Sequence, residues 1–177
     1  MRSLFSFPNP VNEISARLVA AGALIMSLVA IALHLLGYGQ PWLLAVIAYG
    51  FVARVLTGPT LSPLGQFVTR VLTPALNRPA KPVPGPPKRF AQGIGAVITV
   101  TAAVLALVFH LATAAYVVLA MVVVAAFLES VFAFCVGCTI FQGLMKIGLI
   151  PESVCEECNN IWARKARLEA EAVAAKN

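Results

Sequence analysis

The chain has 177 residues, 60% of them hydrophobic and only 11% charged. A soluble domain of this size has no interior large enough to hide that much apolar surface, so a water-soluble globule is excluded. The net charge of +6 points to anionic lipid headgroups. It does not point to nucleic acid, because no aromatics interleave the cations and no soluble domain presents them.

Four segments are long and nearly free of charge: Leu18–Leu36, Pro41–Leu56, Phe90–Leu111 and Ala112–Phe134. A bilayer core of roughly 30 Å takes about 20 apolar helical residues, and lipid forces backbone polar groups to pair within the segment. The expectation is an all-α membrane bundle of four transmembrane helices in two hairpins. The first run is too long for a signal peptide, and no small-residue cleavage site follows it. Arg54, near the end of the second run, has a side chain long enough to reach the headgroups.

The second hairpin is separated from the first by a turn-rich stretch. Gly58-Pro59 stops the second helix, and Ser62-Pro63 reads as an N-cap followed by proline in the first helical position. Leu64, Phe67, Val68, Val71 and Leu72 recur at helical spacing, which predicts a helix over about 62–76 lying in the membrane interface. Pro79, Pro82, Pro84, Pro86 and Pro87 then predict a stiff extended linker. A second interfacial helix is expected over 139–150, and a charged helical tail over 159–177, beyond a membrane domain spanning 1–158. A shift of 76 positions lays His34 on His110 and Phe51 on Phe127, a faint internal repeat. Runs of small residues, Ala20, Ala21, Gly22 and Ala23, and Gly93, Gly95 and Ala96, predict close helix packing.

All thirteen Lys and Arg fall before the first helix, near or within the connection between helices two and three, or after the fourth. The two short turns on the other side have none. The positive-inside rule makes the basic side cytoplasmic, which predicts a multi-pass protein of a bacterial plasma (inner) membrane with both termini and both interfacial helices on that face.

Every cysteine lies in CVGCTIFQGLMKIGLIPESVCEEC, as Cys135, Cys138, Cys155 and Cys158. On the cytoplasmic side thiols are kept reduced, so permanent structural disulfides are not expected. Two readings stay open. The spacing C-x2-C-x16-C-x2-C suits a structural tetrathiolate zinc site built from all four. Alternatively, each pair borders a helix start and works as a dithiol, since a helix N-terminus favours the thiolate. Gly137 is expected to end the fourth helix and leave Cys138 at the start of the next. Ser153 and Glu156 form a capping box that puts Cys155 in the first turn of the tail helix. Glu156 and Glu157 disfavour thiolates there, so Cys135 and Cys138 are the candidate nucleophiles, with Cys155 and Cys158 as relay partners. Thiol–disulfide exchange or sulfur relay is the leading function on these residues.

An intramembrane acid, Glu129, needs a partner, and the repeat offers Arg54 as a structural ion pair. Glu129 is a poor base for Cys135. On a continuous helix, six positions at about 100° each leave the two about 120° apart. The chain has no Asp, which removes any Ser-His-Asp set, and no phosphate-binding glycine loop occurs.

GPTLSPLG, together with ESVFAFCVGCTIFQGLMKIGLIPESVCEEC, resembles an uncharacterised family of small bacterial four-helix membrane proteins catalogued as a domain of unknown function. The likeness runs from about Val11 to Cys158, and its most specific element is Phe-Cys-x-Gly-Cys, here Phe134, Cys135, Gly137 and Cys138. Some relatives stop soon after that motif, which implies that a four-cysteine centre is not the family's common purpose. The family's occurrence near thioredoxin-like and sulfurtransferase genes implies a partner of that kind besides the lipid bilayer.

Overall fold

The computed structural model describes residues 7–151, 154, 155 and 173. The expected tail helix, Ser153, Glu156, Glu157 and Cys158 lie outside them.

The described chain is mostly helical, with one small antiparallel pair. Helix α1, Glu13–Leu35, starts where the Asn12 side chain accepts the Ile14 N–H at 3.1 Å, as an N-cap should. Just before it, strand β1, Val11–Asn12, pairs with β2, Pro82–Val83, and Glu13 N–H donates to the Lys81 carbonyl at 2.8 Å. The proline-rich stretch is therefore tied to the start of α1. Helix α2, Trp42–Thr57, ends at Gly58 with φ +63°, a conformation that favours glycine.

Helix α3, Pro63–Phe67, begins with the Ser62 hydroxyl accepting the Gly65 N–H at 3.2 Å. It continues through a π-helical stretch, Val68–Leu72, into α4, Thr73–Ala75. Pro74 lacks an N–H, and its ring crowds the carbonyl four residues back. A wider turn relieves that crowding. The apolar face of this segment is divided. Val68 is buried and Leu64 lies against Gly22, while Phe67 and Val71 are exposed.

Helix α5, Gly85–Leu107, starts five residues earlier than its apolar run. Pro86 and Pro87 sit in the first turn, where a missing N–H costs nothing. Lys88 and Arg89 are thus helical residues and not linker. Helix α6, Ala112–Phe132, is followed by α7, Val136–Lys146. The chain leaves α6 through Ala133 in the left-handed region, φ +57°, and the Phe134 N–H closes onto the Leu128 carbonyl at 3.1 Å. Ala133, and not Gly137, ends this helix.

Helices α1, α6, α5 and α2 pack side by side in that order, and the sequential neighbours α1 and α2 touch only lightly. Their shared core is rich in alanine, with Leu44 and Leu119 fully buried among Ala30, Ala102, Ala106 and Ala115. Small side chains let helix backbones approach closely. Ala20 and Ala23 are buried and Gly95 lies under the Phe51 ring, as expected, but Gly93 faces open space.

Helices α1, α5 and α6 are each long and apolar enough to cross a membrane, and α2 is a shorter apolar helix of 16 residues. Outward faces carry Ile25, Val29, Val97, Val117 and Val124, each at least half exposed. An apolar belt of this kind calls for a lipid environment, so the chain associates with a bilayer.

At one end of the bundle α1 and α5 begin and α2 and α6 finish. Basic side chains close the carbonyls that finishing helices leave free. Arg17 donates to the Ser130 carbonyl at 2.9 and 3.2 Å and to the Val131 carbonyl at 3.1 Å, and Arg89 donates to the Val55 carbonyl at 3.1 Å.

An alanine in the left-handed region costs about 1 kcal/mol relative to a helical residue, and glycine does not bear that penalty. Ala133→Gly is therefore expected to raise unfolding stability in detergent by about 0.5–1 kcal/mol. An unchanged or lower denaturation midpoint would refute this turn geometry.

Candidate functional site

Cys135 is the N-cap of α7, and Cys138 lies three residues on, in the first turn. The two are joined as a disulfide with their Cα atoms 5.2 Å apart. The Cys135 sulfur also accepts the Cys138 N–H at 3.3 Å. A helix start leaves N–H groups without intrahelical partners, so a sulfur at the N-cap satisfies one of them. No acidic side chain lies in the first turn of α7 to oppose negative charge there. Cys135 is buried and Cys138 is partly exposed.

The middle of the motif has a packing reason. A Cβ added to Gly137 would stand 2.6 Å from both the Cα and the Cβ of Ala91. Only glycine lets the first turn of α7 lie directly on the α5 backbone. Further along α7, Phe141 and Met145 complete the buried stripe, and Phe141 meets Phe90 with ring centroids 5.5 Å apart.

This packing sets Cys135 in the wall of a cavity of about 250 Å³ at the basic end of the bundle. Arg54, Lys88, Gln92 and Glu129 share that wall. Lys88 and Glu129 form an ion pair at 2.6 Å, with side chains 14% and 17% exposed. Arg54 donates through Nε to Gln92 Oε1 at 3.0 Å, and its guanidinium lies 4.4 Å from the Phe51 ring centre. The direct contacts differ from the expected pairing of Arg54 with Glu129: the carboxylate bonds Lys88 and the guanidinium bonds Gln92, while the Glu129 charge still acts on Arg54. Both partners come from the first turns of α5, which the sequence reading had assigned to linker or apolar run.

The separation expected between Glu129 and Cys135 also changes. It assumed one continuous helix, but the chain breaks at Ala133, and both residues line the same cavity.

Cys155 packs against Phe141 and Met145, beside Phe90 and Ile150, and is itself disulfide-bonded. A zinc centre needs deprotonated sulfurs about 2.3 Å from one ion. Cys135 and Cys138 are bonded to each other, and no group of three or more His, Cys, Asp or Glu side chains among the described residues is placed to hold a metal ion. In this oxidised form the described part of the donor set, Cys135, Cys138 and Cys155, does not fit zinc, and Cys158 lies outside the described residues.

His34 and His110 lie at the opposite end. His34 stacks on Tyr116 at 4.1 Å between ring centres, and His110 occupies a left-handed turn position. Neither reaches the cysteine site.

Breaking a largely buried ion pair leaves one charge without its partner, whereas removing both charges relieves the desolvation cost. Lys88→Met and Glu129→Gln are each expected to lose about 1–3 kcal/mol of stability. The double variant should recover most of that loss in a double-mutant cycle. Additive losses would mean that the two side chains do not interact.

Residues 11–146 match the family model described as a domain of unknown function, DUF4395. The matched region includes Cys135 and Cys138, and ends before Cys155 and Cys158. No curated protein and no solved structure matches the chain. The match covers more than three quarters of the chain, which therefore belongs to the DUF4395 family.

Proposed function

We propose that this chain is a four-span membrane protein that carries out thiol–disulfide exchange through Cys135 and Cys138 at its cytoplasmic face. The observation that carries this reading is the disulfide at the start of α7, with the Cys135 sulfur held by the Cys138 N–H. A helix N-terminus stabilises a thiolate, and the better-stabilised sulfur is the faster leaving group.

The sequence of bonds follows. A thiolate from a dithiol partner attacks the partly exposed Cys138 sulfur. A new S–S bond forms, the Cys135–Cys138 bond breaks, and the electron pair stays on the Cys135 sulfur at the N-cap. The partner's second thiol then attacks its own sulfur in the mixed disulfide and frees Cys138. The protein disulfide is reduced, the partner dithiol is oxidised, and the two protons lost by the partner's thiols balance those gained by the two cysteines. In reverse, Cys135 is the attacking thiolate that resolves the adduct. A thioredoxin-like protein or a sulfurtransferase is a partner of the right chemistry, with Cys155 and Cys158 as a relay pair.

In the membrane, α1, α2, α5 and α6 are the four spans. Helix α2, at 1.5 Å per residue, is about 24 Å long, less than the roughly 30 Å of a typical core. Exposed Trp42 anchors its outer end, and local thinning or tilt of the neighbours takes up the mismatch. The cations that close helix ends lie at the end where α7 starts, and the positive-inside rule makes that end cytoplasmic. The segment from Pro63 to Ala75 and α7 then lie at the interface, with Phe67, Val71, Ile140 and Ile147 exposed toward headgroups and acyl chains.

The test uses full-length protein in intact cells and in detergent. With Cys135→Ala, the unresolved Cys138 is expected to accumulate as a reductant-sensitive adduct with a soluble dithiol protein, and with Cys138→Ala the yield is expected to be much lower. A reduced thioredoxin is expected to open the wild-type disulfide. A disulfide that no dithiol protein opens would overturn the reading. Labelling of the reduced pair by an impermeant maleimide from outside intact cells would reverse the orientation.

A further inference from the structure

Arg54 is 5% exposed, yet its hydrogen bonding is incomplete. Nε is used on Gln92, and the Phe51 ring covers the guanidinium at 4.4 Å. Among the described residues neither terminal nitrogen donates to an acceptor. A guanidinium carries five N–H donors in a rigid fork matched to carboxylates and related anions. A buried cation with unused donors is costly unless something anionic completes it.

The one acid in the same wall, Glu129, attracts Arg54 through its charge but gives its hydrogen bond to Lys88 at 2.6 Å. Arg54, Lys88 and Glu129 together leave one net positive charge facing the cavity, with the Cys135 sulfur in the same wall. At roughly 20–30 Å³ per non-hydrogen atom, judged against about 30 Å³ for a water molecule, the cavity takes a ligand of roughly ten such atoms. A second cavity of about 200 Å³ shares Val19, Arg54, Lys88 and Gln92 in its wall and is bounded by Pro8, Gly58 and Thr69 at the basic end of the bundle. It lies beside Arg54 at that end.

We propose that the cavity behind the disulfide binds a low-molecular-weight anionic thiol, with its carboxylate or sulfonate on the Arg54 fork and its sulfur against Cys135. This deepens the exchange function above and rests on it. In the step, the ligand thiolate bonds to the Cys135 sulfur, the Cys135–Cys138 bond breaks, and Cys138 leaves as a thiolate. A second molecule of the thiol attacks the ligand sulfur of the adduct and releases the small disulfide and the Cys135 thiolate. Two small thiols are oxidised, one protein disulfide is reduced, and the protons of the two thiols balance those taken up by the cysteines. The Cys135–Cys138 disulfide is then addressed from two sides: by proteins at Cys138 and by a small anion at Cys135.

The test compares mercaptoethanesulfonate, mercaptoethanol and cysteamine, which are anionic, neutral and cationic thiols of similar size, on the oxidised full-length protein in detergent. Disulfide opening is followed by quenched alkylation and mass measurement, with each rate corrected for thiolate fraction. The anionic thiol is expected to saturate and to exceed the neutral one by about tenfold at low concentration, as one charge-assisted contact permits. Ethanesulfonate, which has no thiol, is expected to compete with it on the wild-type protein, a measurement that needs no variant. Arg54→Gln is expected to remove the preference while opening by a reduced thioredoxin continues. Rates that follow thiolate fraction alone, rise linearly with concentration and ignore ethanesulfonate would overturn the cavity proposal, with the exchange function intact if thioredoxin still opens the disulfide. A disulfide inert to every thiol would overturn both.

Discussion

The arrangement depends on one close contact, the first turn of α7 lying on the α5 backbone at Gly137 and Ala91. It places Cys135 at a helix start and in a cavity wall at once. The contact is possible only because residue 137 has no Cβ and because the chain turns sharply at Ala133 after α6. Arg17 steadies the other side of that turn by taking the last free carbonyls of α6. A larger residue at 137 would push α7 off α5, withdraw Cys135 from the cavity and uncover Phe141 and Met145 together. The geometry of the disulfide is therefore inherited from helix packing.

A polar cluster inside an apolar bundle needs justification, because ionisable groups among membrane helices cost about 2.5–3.5 kcal/mol each at mid-helix on insertion scales. Here the cost is limited in two ways. The cluster sits near the ends of α2 and α6 and the start of α5, away from the middle of these helices. Its members also satisfy one another: Lys88 with Glu129, and Arg54 with Gln92 and the Phe51 face. The outer fork of Arg54 makes no hydrogen bond among the described residues, and the side chain lines the cavity.

Much of the helix plan was legible in sequence, because run length and punctuation are local signals. Gly58-Pro59 ends α2 and Ser62 caps α3 through interactions within four residues. The start of α5 was misread for an equally local reason. Prolines that suggest an extended linker are also tolerated in a first helical turn, and only the rest of the fold decides between the two. That reading hid Lys88, the cation that Glu129 bonds, whereas Gln92 lay inside the expected apolar run with no local sign that it would meet Arg54. The left-handed Ala133 carries no signal at all, since alanine favours helix and does not mark such a turn. Sequence reasoning did find the cysteine motif, but it gave Gly137 a helix-ending role when its actual role is contact across helices, which no local pattern encodes.

The position of the two sulfurs on α7 bears on why a disulfide should sit at a bundle end and not on a soluble domain. Residues three apart on a helix share a face but differ in depth along the axis by about 4.5 Å. Cys135 is turned into the bundle and Cys138 is left partly open. One covalent bond thus spans the boundary between a charged internal cavity and the outside. Whichever sulfur is attacked, the other leaves within the same helical turn. Each route therefore delivers negative charge where the unpaired N–H groups of α7 can receive it. In the proposed exchange, reduction from either side would end in the same dithiol, so a thiol oxidised in the cavity and a dithiol oxidised outside would be coupled through one shared state of the protein.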